Sequence, residues 1–116
     1  MFLILYGISQ NPVTSDYILV QNYLILSGNE KIDDFIQERQ LNIGESNDVV
    51  FEWISYNQFE EIKETGKNDS ITVYSAIWRN GPLHYRKHTR DSNKKVALKC
   101  FHNLQNPVDL LLINEV

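Results

Sequence analysis

Two stretches of this 116-residue chain carry residue types that could handle phosphate. One is Lys99, inside the run "VALKCF", Val96 to Phe101. A lysine fixed on a strand presents a compact positive charge that can hold a polyphosphate in place. The other stretch is "KETGKNDSITVYSA", Lys63 to Ala76, where Gly66, Lys67 and Asn68 precede an apolar run. Loop N–H groups beside a glycine can cradle phosphate. The same residues can equally make an ordinary turn between two strands. Both readings stand on sequence alone.

These residues need elements to position them. Phe2 to Ser9 and Tyr17 to Leu26 are rich in Ile, Leu, Val and Tyr, and "QNPVTSD" between them is turn chemistry. The pair reads as a β-hairpin. In Ser27 to Leu41, Ile32, Phe35 and Ile36 fall on one face of a short helix. Asn29 is its N-cap candidate, and Glu30, Asp33 and Asp34 suit the positive end of the helix dipole. Val49 to Phe59 holds large apolar anchors, and Phe51, Trp53, Trp78 and Phe101 are expected in the core. Phe59 and Ile62 fit helical spacing better than strand alternation. Ile71 to Arg79 is a strand, ended by Asn80-Gly81-Pro82. Leu83 to Lys95 is polar and basic and reads as an exposed loop. Val96 to Phe101 is a further strand. A last helix starts at Pro107, with Asn106 as cap and Asp109 near its N-terminus, and stops at Val116 as if truncated.

The bulk numbers narrow the field. A chain of this length makes one domain with a real core. An apolar fraction of 42% against 22% charged residues argues against wholesale disorder. The net charge of −4 argues against a dedicated DNA or RNA binder. Cys100 is the single cysteine, so it makes no internal disulfide and reads as a buried, inert strand residue in a reducing, cytoplasmic setting. "MFLILYGIS" lacks the basic flank and cleavage site of a signal peptide, and no apolar run reaches the ~20 residues that cross a bilayer. His84, His88 and His102 show no spacing that would mark a metal site.

From Gly66 to Glu115 the order is glycine, polar turn, "TVYSA" strand, long loop, "VALK" strand and a glutamate-bearing helix. This order resembles the N-terminal lobe of a protein kinase, with "VALK" similar to that family's "VAIK". The resemblance implies that Lys99 contacts the α- and β-phosphates of ATP and that Glu115 pairs with it, the two forming the catalytic pair of the complete family. It implies that Val73 and Ala97 roof the adenine. "LYGISQNPVTSDYILV" resembles the strand pair before the kinase hinge. That alignment puts Gln21 at the gatekeeper position and Asn22 to Leu24, Tyr23 among them, in the hinge. Residues 27–50 resemble the leader found in one group of kinase-like proteins. The resemblance covers nearly the whole chain in permuted order: hairpin 1–26, helical leader 27–50, then 51–116 as a truncated lobe from its first strand to the glutamate helix.

The departures matter as much. Against G-x-G-x-x-G-x-V, Gly66 is first and Val73 last, but Asn68 replaces the second glycine and Ile71 stands at the third. Asn tolerates positive φ, whereas β-branched Ile strongly disfavours it. Ser70 stands where many family members carry an aromatic cap. The sequence holds no H-R-D catalytic loop and no D-F-G motif. The resemblance therefore implies an α+β fold: an antiparallel five-stranded sheet of kinase N-lobe type with one αC-type helix, circularly permuted, in which the N-terminal hairpin docks beside Val96 to Phe101. ATP is the implied ligand, its binding weakened or lost, with Gly66, Lys67, Asn68, Val73, Ala97, Lys99, Gln21 and Tyr23 as its contacts and Mg²⁺ arriving only on the nucleotide. Partners are a missing C-terminal lobe or another protein, with neither nucleic acid nor membrane. The alternatives are a non-catalytic interaction module and a fragment with no selected activity. Lys99 also has a plainer reading, as a lysine guarding a sheet edge.

Overall fold

The computed structural model describes residues 3–23, 48–104 and 106. Eight strands are present among them: β1 Leu5–Gln10, β2 Tyr17–Asn22, β3 Glu52–Trp53, β4 Phe59–Lys67, β5 Ile71–Trp78, β6 Leu83–His84, β7 Thr89–Arg90 and β8 Lys94–Phe101. Six of them form one sheet in the order β3-β1-β2-β8-β5-β4, and β6 pairs with β7 in a separate ribbon. Strand β8 runs antiparallel to β2 on one side and to β5 on the other. The N-terminal hairpin therefore lies directly beside the lysine-bearing strand.

The expected fold class is corrected here. The described residues contain no α-helix, only strands and a 3-10 turn at Tyr56–Gln58. The sheet is six-stranded and mixed, because Glu52 and Trp53 return to pair parallel with Gly7 and Ile8. An α+β lobe with five antiparallel strands and an αC-type helix is not what the described residues show. The helices expected over 27–41 and 107–116 lie outside the described residues.

Local chemistry explains the turns. In the β1–β2 turn, Asn11 Oδ1 accepts from Val13 N–H at 2.9 Å and from Thr14 N–H at 3.3 Å. Such Asx geometry replaces backbone pairing where the chain must reverse. In the β4–β5 turn, Asn68 Oδ1 accepts from Ser70 N–H and Ile71 N–H, both at 2.9 Å. Asn68 N–H donates to Ile71 O at 2.9 Å.

Strand alternation gives the sheet two faces. One carries Tyr6, Ile18, Val20, Ala76, Trp78, Val96, Leu98 and Cys100, closed over by Ile54 and Phe59. The Tyr6 and Trp78 rings sit 5.7 Å apart at 48°. The other carries Leu19, Ile8 and Phe101, flanked by Leu5, Tyr17, Ile71 and Leu104. Trp78 and Phe101 lie in the core as expected. Phe51 and Trp53 do not, being 44% and 59% exposed. Their segment is held at the sheet margin by backbone bonds, Val50 N–H to Leu83 O at 3.0 Å and Ile54 N–H to Ile8 O at 2.8 Å. The region expected as a loop, 83–95, carries β6, β7 and the first two residues of β8. Arg90 ties it down by donating from Nη1 and Nη2 to the two carboxylate oxygens of Glu52, each at 3.0 Å.

Phe59 and Ile62 belong to β4, not to a helix. Glu60 faces Ile77 and Lys63 faces Ser75, so β4 inserts one extra residue there. Glu61 takes φ 52° within that bulge. The extra residue lets Phe59 and Ile62, three apart, reach the same core.

Candidate functional site

The ladder decides where the candidate residues stand, because residues directly opposite in antiparallel strands share a face. One row across the sheet reads Ile8, Leu19, Lys99, Val73, Gly66. The next reads Leu5, Gln21, Ala97, Ser75, Lys63. Five of the residues named from the sequence, Gln21, Gly66, Val73, Ala97 and Lys99, thus share one face in adjacent rows. Tyr23 follows the end of β2 there, with Lys95 Nζ 4.3 Å from its ring centroid. Lys99 is a buried lysine, only 5% exposed. Gln21 is buried to the same degree, and its Oε1 has no hydrogen-bond partner among the described residues. An acceptor stranded in that way is costly unless a ligand supplies a donor.

Two of the named residues, Lys67 and Asn68, stand elsewhere. Lys67 is opposite Thr72 and so belongs to the other face. Asn68 caps its own turn, and the N–H groups of Ser70 and Ile71 are taken up by it. The glycine-loop question therefore resolves towards a turn at this point: those amides do not project towards a phosphate. Among the described residues the glycines at positive φ are Gly7 and Gly81, and Gly66 is not one of them. Glu115 lies outside the described residues. A cleft of about 210 Å³ lies on the Trp78 side, lined by Glu52, Trp53, Gln58 and Arg90 among others. It is small beside the roughly 300–1,000 Å³ of ordinary ligand pockets and does not include the Lys99 face.

A second constellation was not visible in the sequence. Thr72, Cys100 and Ile18 stand in one row on the Trp78 face, and Asp16 and His102 continue that face two residues further along. His102 Nε2 is 2.7 Å from Thr72 Oγ1, and His102 Nδ1 is 3.1 Å from Asp16 Oδ2. The Cys100 thiol points at the same carboxylate oxygen, 3.9 Å away. Burial, reinforced by the negative charge of Asp16, pushes that thiol up to about 11. The carboxylate–imidazole–hydroxyl order is that of a nucleophile relay, but Thr72 is 2% exposed and no acyl substrate can reach its oxygen. Cys100 and His102 differ by two positions, which is the strand signal that both share a face. The third member lies 84 positions away from Cys100, and only the β2–β8 register reveals it.

Among the described residues, no helix is long and apolar enough to cross a membrane. Comparison with protein-family models, with curated proteins and with solved structures finds no match to this chain.

Proposed function

We propose that the Lys99 face of the sheet binds an ATP-type nucleotide weakly, as part of a protein kinase-like chain that does not transfer phosphate by itself. The observation that carries this reading is the cross-strand row joining Gly66, Val73 and Lys99, with Ala97 and Gln21 in the row beside it. Lys99 supplies the charge for the phosphates. Val73 and Ala97 supply apolar surface for the base. The partnerless Gln21 Oε1 supplies an acceptor for a donor such as the exocyclic amine of adenine. The grip on phosphate is reduced because the Asn68 turn uses its own amides. Phosphoryl transfer needs the metal-binding and base residues of the H-R-D and D-F-G motifs, which this sequence lacks.

Thermal unfolding of wild type and Lys99→Met, with and without Mg·ATP, tests the reading. Ligand at 100 times its dissociation constant adds about 2.7 kcal/mol to stability. In a domain near this size that raises the midpoint by about ten degrees. The expected result is a rise in wild type that Lys99→Met abolishes. Equal midpoints at millimolar nucleotide, in a chain that unfolds cooperatively, overturn the reading.

The exposure of Trp53 and Phe51 on and beside the edge strand β3 favours a second reading, a non-catalytic module that binds another protein. Saturable protein binding that survives Lys99→Met and fails with Trp53→Ala is its expected signature.

A further inference from the structure

A carboxylate, a thiol and an imidazole converge where β2 begins and β8 ends. Asp16, Cys100 and His102 each offer one ligand atom, and these atoms all lie within 4.8 Å of one another. The convergence follows from the ladder. Ile18 faces Cys100, so Asp16, two residues before Ile18, and His102, two residues after Cys100, fall on that same face. The backbone fixes both flanks. Asn11 N–H donates to Asp16 O at 2.9 Å, and His102 N–H donates to Ser70 O at 3.1 Å.

We propose that Asp16, Cys100 and His102 bind one divalent metal ion of the zinc class, through Oδ2, Sγ and Nδ1. Tetrahedral coordination with the usual Zn–O, Zn–N and Zn–S lengths sets ligand atoms about 3.3 Å apart for O···N and about 3.5 Å apart for S···O. The corresponding separations are 3.1 Å for Asp16 Oδ2 to His102 Nδ1 and 3.9 Å for Cys100 Sγ to Asp16 Oδ2. Those two pairs need adjustments of only a few tenths of an ångström, and Cys100 Sγ and His102 Nδ1, which lie within 4.8 Å of each other, close towards about 3.5 Å around the ion. Carboxylate and thiolate together cancel its two positive charges, and the thiol proton leaves to solvent as the S–metal bond forms.

The outer contacts suit this assignment. With the ion on Nδ1, His102 carries its proton on Nε2 and donates it to Thr72 Oγ1, 2.7 Å away. Metal-bound imidazoles characteristically donate their other N–H to an oxygen that fixes ring and tautomer. Cys100 is buried, whereas the His102 and Asp16 side chains are 31% and 18% exposed, which gives the ion a route in. Three protein ligands and a solvent-facing fourth position make an open site, not a sealed structural one. The bound ion also clamps the start of the N-terminal hairpin's second strand to the end of β8.

Cobalt(II) is the probe. Titrated into the full chain under reducing conditions, it is expected to bind one equivalent, to give a near-ultraviolet thiolate-to-cobalt charge-transfer band and to be displaced by zinc. Cys100→Ser is expected to lose the band. Thr72→Val, which touches no metal, is expected to bind on the order of 10–100-fold more weakly, as loss of such an outer contact typically does. Because Cys100 and Thr72 are buried, Asp16→Asn at a partly exposed ligand serves as a second variant and is expected to weaken binding while the apo chain still unfolds cooperatively. A folded wild-type chain that shows no thiolate band overturns the proposal. So does an Asp16→Asn chain, with its cooperative unfolding intact, that binds cobalt as tightly as wild type.

Discussion

Replacing Gly7 with alanine should damage this protein far more than replacing Gly66, although Gly66 is the glycine that the sequence marks for function. Gly7 sits at φ 157°, where side chains are rarely tolerated. A Cβ built there lies 1.8 Å from the backbone oxygen of Glu52 and 2.9 Å from its carbonyl carbon. Both are main-chain atoms, so no rotamer change relieves the overlap. Strand β3 must move away from β1. That puts at risk the parallel pairing of Gly7 with Glu52 and Ile8 with Trp53, and the Ile54 N–H to Ile8 O bond. Losing two or three backbone hydrogen bonds at about 1 kcal/mol each, plus a strained dihedral at about 1–2 kcal/mol, gives a loss of roughly 3–5 kcal/mol. Urea unfolding followed by tryptophan fluorescence should show the midpoint of Gly7→Ala falling by roughly 1.5–3 M. Gly66→Ala, at a strand position without positive φ, should stay within about 0.5 kcal/mol of wild type. If Gly7→Ala stays within 1 kcal/mol of wild type, or if Gly66→Ala falls as far, the close β1–β3 approach is not a constraint and the reasoning is wrong.

Two further outcomes follow from buried polar groups. Burial, with the charge of Asp91 added, pushes the Tyr6 phenol up to about 12 from its ordinary 10. The unfolded chain gives up this proton from pH 10, while the folded chain keeps it to about pH 12. Stability from Tyr6 is therefore intact below pH 10 and is lost as pH rises through 12, by up to about 2–3 kcal/mol. Urea midpoints at pH 9 and pH 11.5 should show this decline in wild type and a shallower one in Tyr6→Phe. Gln21→Met removes the stranded Oε1 acceptor and should stabilise the nucleotide-free chain by about 1 kcal/mol, seen as a rise in the thermal midpoint.

Much of the strand content was legible because its signals are local. Ile71 to Trp78 and Val96 to Phe101 are β-branched and apolar enough to read directly, and both are strands. What the sequence hid were features that depend on register. The extra residue around Glu61 mimics helical spacing, because inserting one residue into a two-residue period gives the three-residue interval from Phe59 to Ile62. Phe51 and Trp53 are large and apolar, yet a two-residue edge strand leaves them at the margin. The row through Lys99 could be suspected from "VALK", but its five members come from five strands. The Asp16, Cys100 and His102 group joins residues from opposite ends of the chain, so no window of neighbouring residues contains it.

Strand β8 is the seam that joins the first hairpin to the second, and it is made late. Leu19 and its partner Lys99 are separated by about 80 residues of chain. At ribosomal rates of roughly 5–20 residues per second, β2 waits about 4–16 s for the strand that covers it. Until β3 is made, β1 and β2 form at best an isolated hairpin, a structure only marginally stable in water, and β3 then covers β1 but leaves the β2 edge open. That edge carries Ile18, Leu19 and Val20, all destined for complete or near-complete burial. The newborn chain therefore passes through a period in which its most adhesive edge has no native partner. Yield in a cell should depend on what shelters that edge during synthesis as much as on the stability of the finished sheet.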